Sequence, residues 1–264
     1  MTGEPMSDAD RGHLNIGAAD VYDSLFVPSL FGRFAEAVAE AAQIKPADQV
    51  VDVACGSGAL TRAVRNRTTG RVVGIDVNPA MLAVARRHGG AIEYLEGDGQ
   101  DLPFGAREFD VAACQFGVMF YPDPVRGLAE LARVGRGGAV AVWDSIERSE
   151  GYTAMQELFR DELGLEAARS LDAPFAMGKA GVLEALFGDA KIDDVSYQSI
   201  EGTGRFDSID QWVTTEVRGW TLSGSVSDER LARLIEAARD RLGRFETADG
   251  CVFGMTAKVA TWKQ

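Results

Sequence analysis

The chain has 264 residues, 46% of them hydrophobic, and a formal net charge of −13. That is enough apolar material for one large domain or for a core with a cap, and no apolar run approaches the length of a bilayer span. No basic cluster stands out against the acidic background, which argues against a nucleic-acid partner, since phosphates need a positive footprint.

Residues 1–14 are polar, acidic and glycine-containing, and are expected to form a flexible N-terminal segment in the absence of ligand. Helices are predicted near 16–26 and 29–43, separated by a break at Pro28 and ended by Lys45-Pro46. Val50-Val51-Asp52-Val53 then reads as a buried parallel strand that runs into Ala54-Cys55-Gly56-Ser57-Gly58 and a helix. Gly56 and Gly58 allow tight approach of the backbone to a ligand, and the helix that follows offers unpaired N–H donors. A second strand, Arg71–Asp76, ends in an acid 24 residues beyond Asp52. A carboxylate there can accept hydrogen bonds from both ribose hydroxyls of an adenosine. The third unit, Ala91–Phe104, sets Asp98 just past a strand, where it can accept from an adenine amino group. The fourth strand, Phe109–Cys114, runs into Gln115-Phe116. A helix near 124–134 and the turn Gly135-Arg136-Gly137 lead to the fifth, Gly138–Trp143. Helices near 152–163, 179–188, 207–220 and 227–244 and strands near 191–200 and 251–262 fill the remainder; Ser227 and Asp228-Glu229 make a good helix start. Strands alternating with helices predict an α/β fold with a doubly wound sheet, its ligand lying outside the C-terminal strand ends. The polar residues named above all fall at those ends.

With these motifs in this order and spacing, the chain resembles the class I S-adenosylmethionine-dependent methyltransferases, within them the small-molecule branch of ubiquinone and menaquinone C-methyltransferases. The likeness runs motif by motif over about residues 20–145 and in outline beyond them. It implies a Rossmann-like seven-stranded sheet with the last strand antiparallel, and S-adenosyl-L-methionine as cofactor, leaving S-adenosyl-L-homocysteine as product. It implies a cofactor-binding core over 15–145. The remaining 146–264 would complete the sheet and supply a helical lid over the substrate, about 147–188 and 205–247. Asp52, Ala54, Cys55, Gly56 and Gly58 would form the cofactor turn, with Ala54 a mild departure from the family's glycine because it adds only a methyl group. Asp76 would hold the ribose, Val77 and Met81 would flank the adenine, and Asp98 with the Gly99 and Gln100 backbone would bind its amino edge. Cys114, Gln115 and Phe116 would lie near the methionine part and the reacting methyl. Tyr22 stands where relatives often place an aromatic near the cofactor, with simple helix packing as the competing reading.

A sulfonium makes its methyl electrophilic, and orientation alone can supply about 7–11 kcal/mol in ideal cases, with exclusion of water adding to it. A dedicated base is therefore optional. The chain has two histidines. His13, in the N-terminal segment, is the candidate catalytic residue, an exposed tail residue being the alternative; His88 reads as a solvated helix cap. Asp144, after the fifth strand, reads as a polar rim residue rather than a base. Phe120, Tyr121, Trp143 and Trp220 are the candidate substrate contacts, and Trp212 joins Trp220 as a ring that could close the pocket; core packing predicts the same residues. No polar residue followed by Pro-Pro-aromatic, and no paired-glutamate loop, follows the fourth strand. Asp144 is the lone acid there, so no metal is expected. Cys55, Cys114 and Cys251 lie far apart in or beside strands, as reduced thiols do, and no charged leader precedes an apolar stretch, so the expected location is cytoplasmic. The leading expectation is transfer of a methyl group, by in-line displacement, to O or C of a small apolar or aromatic metabolite, in secondary metabolism, by a monomer or homodimer without membrane or nucleic-acid partners. A cyclase or decarboxylase using the same cofactor and a non-catalytic cofactor sensor stay open. A nicotinamide dehydrogenase is disfavoured, because Gly56-Ser57-Gly58-Ala59-Leu60-Thr61 lacks its third glycine.

Overall fold

The computed structural model describes residues 16–219, 222 and 224–263. Five parallel strands build the first half: β1 (Val50–Val53), β2 (Val72–Asp76), β3 (Glu93–Glu96), β4 (Val111–Gln115) and β5 (Gly137–Trp143). β1, β2 and β5 are buried along their whole length, which is why, the acids Asp52 and Asp76 apart, these runs are apolar rather than alternating. β6 (Ser196–Phe206), β7 (Glu246–Thr247) and β8 (Gly250–Lys263) complete the sheet in the order β3–β2–β1–β4–β5–β8–β6. β8 lies antiparallel between β5 and β6, and β7 folds back onto it. The expected doubly wound sheet with an antiparallel last strand is therefore present, with the two-residue β7 as an addition.

Ten α-helices cover the sheet among the described residues: α1 (Ile16–Val21), α2 (Gly32–Ala41), α3 (Ala59–Arg65), α4 (Pro79–Arg87), α5 (Pro124–Val134), α6 (Glu150–Glu162), α7 (Leu165–Ser170), α8 (Val182–Asp189), α9 (Ile209–Arg218) and α10 (Asp228–Arg241). Asn78, Asp123, Ser149, Ser208 and the expected Ser227 cap α4, α5, α6, α9 and α10, each side chain accepting a backbone N–H two or three residues on. None of the described helices is long and apolar enough to cross a membrane.

Two expectations fail locally. Pro28 does not break the N-terminal helix: α1 continues through π-helical turns over Tyr22–Phe31 directly into α2. The wider turn, visible where the Gly32 N–H donates to the Val27 carbonyl, gives the proline ring room where a regular α-turn would drive it into the carbonyl four residues back. The strand expected near 191–200 starts later and runs longer, as β6. The apolar residue that suggested the early start, Ile192, is buried in a loop flanked by Lys191 and Asp194, both at positive φ. β6 itself is an exposed, polar edge strand whose length is set by its ladder with β8, from Ser196 opposite Thr261 to Phe206 opposite Cys251.

Side chains along β1 alternate between the two layers. Val50 joins the layer formed with α2, α3, α6, α9 and α10, whereas Val51 and Val53 join the layer formed with α5 and α8. Asp52 therefore faces the α2–α3 side, at the C-terminal end of its strand, level with Gly74 of β2 and Ala113 of β4.

Candidate cofactor and acceptor site

A cavity of about 290 Å³ opens at the C-terminal ends of β1, β2 and β4. Its floor is the turn after β1. Ala54, Gly56 and Gly58 have φ of +56°, +54° and +84°. Left-handed backbone is natural for glycine and costs an alanine about 1–2 kcal/mol, so Ala54 is a strained position and not only an added methyl. A Cβ at Gly56 would meet nothing within 4 Å, whereas one at Gly58 would lie 2.6 Å from the Tyr94 hydroxyl. Gly56 thus leaves its backbone open to a ligand. Gly58 instead lets α3 start close against Tyr94 and does not itself line the cavity.

Three acids stand in a row along the cavity. Asp52 is buried; its Oδ2 accepts from the Thr61 hydroxyl at 2.6 Å, and its Oδ1 has no partner. Burial pushes its carboxyl up to about 7, against the Thr61 hydrogen bond and with help from the negative Asp76. Asp76 accepts the Gly56 N–H on Oδ2 and the Asn78 N–H on Oδ1, both at 2.8 Å. The acid expected to hold a ribose therefore also ties the glycine turn to the end of β2. Asp98 is exposed at the far end and accepts the Gln100 N–H at 2.8 Å. Gly99, Gln100, Val77 and Met81 line the same end, as does Tyr121, which packs on Gly99 and Gly127 and so sits with the Asp98 loop rather than with the other aromatic candidates.

The opposite end is walled by the N-terminal helix and the segment after β4. Gln115 donates from Nε2 to the Phe31 carbonyl at 2.8 Å, holding the π-helical turns onto the sheet, while its Oε1 is buried without a partner. Phe116 has φ of +56° and stacks on Trp143, ring centroids 3.8 Å apart. A bulky side chain at positive φ is a true outlier, and such strain persists only where packing over-determines it. Tyr22 stacks on Phe31 at 5.1 Å. Burial, reinforced by Asp76 and Asp23, holds its phenol well above the ordinary range, so it stays a neutral donor.

Several expected residues stand elsewhere. Cys114 alternates to the other face of β4, fully buried with Val51 and Leu128, and does not line the cavity. Trp143 lies behind Phe116 and lines a smaller neighbouring cavity. Trp212 is fully buried and stacks on Phe253 at 4.2 Å, so the core-packing reading holds for it. Asp144 is buried rather than on the rim, with Lys258 Nζ at 3.6 Å and Arg148 Nε at 3.7 Å. His88 caps α4 and pairs with Asp23 Oδ2 at 2.8 Å. His13, Trp220 and the 1–14 segment lie outside the described residues. Among those described, no group of three His, Cys, Asp or Glu side chains is placed to hold a metal.

Sequence reasoning missed Val27 and Phe31, which reach the cavity only because the helix passes through π-turns there. It missed Ser57, whose buried hydroxyl has no partner. The sole signal for Ser57 was its place between the two glycines.

The sequence profile of the methyltransferase domain family matches residues 51–142, the stretch from β1 to β5 that carries the three acids. Residues 51–142 thus resemble a methyltransferase domain. Over 93 residues the chain is 38% identical to a demethylmenaquinone methyltransferase of Chlorobaculum tepidum, covering 35% of this chain and 38% of that protein. The chain thus spans well under half the length of this curated relative. Among solved structures, the phosphoethanolamine N-methyltransferase 2 of Haemonchus contortus, in complex with S-adenosylhomocysteine, superposes with a TM-score of 0.60 at 14% identity, covering 98% of this chain and 61% of that one. The cyclase SpnF superposes with a TM-score of 0.55 at 16% identity, covering 99% of each chain. At these identities the superpositions show the fold, which extends past residues 51–142 to β6 and β8.

Proposed function

We propose that the chain is an S-adenosylmethionine-dependent methyltransferase acting on O or C of a small apolar or aromatic molecule. The observation that carries this reading is the cavity itself: acids at the ends of β1 and β2 and in the loop after β3, with Asp52 Oδ1, Ser57 Oγ and Gln115 Oε1 buried and without partners along it. Buried acceptors call for donors, and a carboxylate with an empty oxygen calls for a cation. S-adenosylmethionine fits this set, with an ammonium and a sulfonium for Asp52 and Gln115, ribose hydroxyls for Asp76 and an adenine amino group for Asp98. When bound, it supplies an electrophilic methyl group. The chain's own residues orient and enclose. Gly56 lets the backbone approach, Val77 and Met81 flank the flat base, and Phe31, Phe116 and Phe120 wall the methyl end with apolar rings that exclude water and hold an acceptor in line.

In this reading residues 15–145 hold the cofactor and 146–264 complete the sheet and cover the acceptor. The protein works in the cytoplasm as a monomer or homodimer, on a small molecule rather than a nucleic acid. Calorimetric titration with S-adenosylmethionine, S-adenosylhomocysteine and NAD in parallel tests it. Micromolar binding of the first two alone is expected; binding of NAD alone would overturn the cofactor assignment. Appearance of S-adenosylhomocysteine with phenolic or enolic acceptors then separates methyl transfer from cyclase chemistry.

A further inference from the structure

Beyond Phe31 and Phe120, which also line the main cavity, lies a second cavity of about 30 Å³ walled by Phe26, Leu30, Trp143 and Phe175. One carboxylate faces it, Glu216 on α9. Glu216 is buried, and its Oε1 accepts from the Tyr152 hydroxyl at 2.5 Å. Tyr152 is itself held among the rings of Phe175, Trp212 and Phe253. No ion pair reaches Glu216 among the described residues. Taking a carboxylate out of water without a cation is costly, and a carboxylate has about four lone-pair sites, which the Tyr152 hydroxyl and the Trp212 side chain fill only in part. Burial pushes the Glu216 carboxyl up to about 7, against the hydrogen bonds of the Tyr152 and Trp212 side chains, so near neutral pH its charge is within reach of a ligand donor. A cavity of this size holds a water-sized group and not a whole ring. It is therefore suited to the polar edge of a ligand whose body rests on Phe31 and Phe120.

Resting on the methyltransferase reading, we propose that Glu216 is the specificity residue for the acceptor, receiving a hydroxyl of a phenol or hydroquinol whose hydroxylated edge enters the small cavity. A hydrogen bond to a carboxylate is roughly twice as strong as one between neutral groups, so the site selects donors over bare or capped rings of the same shape.

The test uses the purified chain saturated with S-adenosylhomocysteine and titrated with 2-naphthol, naphthalene and 2-methoxynaphthalene. We expect 2-naphthol to bind at least tenfold more tightly than the other two, and Glu216→Gln to reduce that preference to about threefold or less. Tyr152→Phe, which leaves the carboxylate, should keep it. S-adenosylhomocysteine affinity within twofold of wild type reports that each variant is folded. Equal binding of the three probes to the wild-type chain, no binding of any of them, or an unchanged preference in Glu216→Gln would each overturn the proposal. Failure of S-adenosylhomocysteine to bind the wild type would instead sink the cofactor reading. The naphthol preference and its loss in Glu216→Gln can be read without that nucleoside, so the two failures are distinguishable.

Discussion

Ala54 and Phe116 are the two strained residues of the site, both at φ of +56°. Ala54→Gly should relieve the left-handed alanine, worth about 1–2 kcal/mol, and return part of that as extra unfolded-chain entropy, about 0.4–1 kcal/mol. The expected net is a stabilisation of roughly 0.5–1 kcal/mol in urea denaturation with an unchanged m-value; destabilisation would mean that the alanine methyl contributes more to packing than its backbone costs. Asp52 offers a second test. With its carboxyl held near 7, the free protein carries it mostly neutral below that pH, while a bound cation needs it ionised. Binding of S-adenosylhomocysteine, which keeps the ammonium, should therefore release up to one proton at pH 6, and affinity should fall by up to about tenfold per pH unit below 7. Calorimetry in buffers of different ionisation heat measures both effects. Asp52→Asn should abolish the proton release, and a flat pH profile in the wild type would show that Asp52 meets no cation.

The N-terminal helix shows how an element can obey local chemistry and still not follow the usual rule. Proline normally ends or kinks a helix; here the π-turns carry the chain past Pro28 and bring Val27 and Phe31 to the cavity. Gly32 makes this possible, since a Cβ there would lie 2.8 Å from the Val27 carbonyl oxygen. In an ordinary helix, replacing glycine by alanine stabilises by about 1 kcal/mol. In these turns the sign reverses: Gly32→Ala should destabilise by about 1–3 kcal/mol through overpacking and weaken binding in the cavity that Phe31 walls. Thermal melts decide the sign, and a stabilised variant would mean that the segment relaxes to a regular α-helix. The strand after β3 teaches a similar lesson, because the alternation of β4 sends Cys114 away from the ligand and turns Gln115 toward it.

Taken as one cooperative unit, the fold carries two buried carboxyls raised to about 7, Asp52 and Glu216, and surface acids such as Glu130 and Asp210 held low by Arg133 and Arg239. The raised pair favours the native state at low pH. Above the ordinary carboxylate range the unfolded chain ionises first, so their contribution is lost as pH rises toward 7; the lowered pair works oppositely, losing its contribution on acidification. Comparing Glu216→Gln with wild type isolates one group. Their stability difference should grow in favour of the variant between about pH 4.5 and 7 and level off above, reaching at most about 3 kcal/mol, as followed by denaturant midpoints across pH. A difference that does not change with pH would show that Glu216 titrates normally.

The cofactor half was legible because its signals are local. A β-branched run, small residues and an acid at or just past each strand end are adjacent in sequence, and parallel strands bring Asp52, Asp76 and Asp98 to one edge of the sheet. The acceptor half was not, because no local pattern marks it. Glu216 sits in an ordinary amphipathic helix and Tyr152 in another 64 residues earlier; Phe31 reaches the site only through π-turns, and β6 takes its length from its pairing with β8 rather than from its own polar residues. Nearest-neighbour chemistry settles strands, caps and the ligand turn, whereas a pocket built from distant helices exists only once burial has packed them together, since desolvation of a carboxyl or closure of an apolar wall depends on neighbours the chain does not hold in sequence.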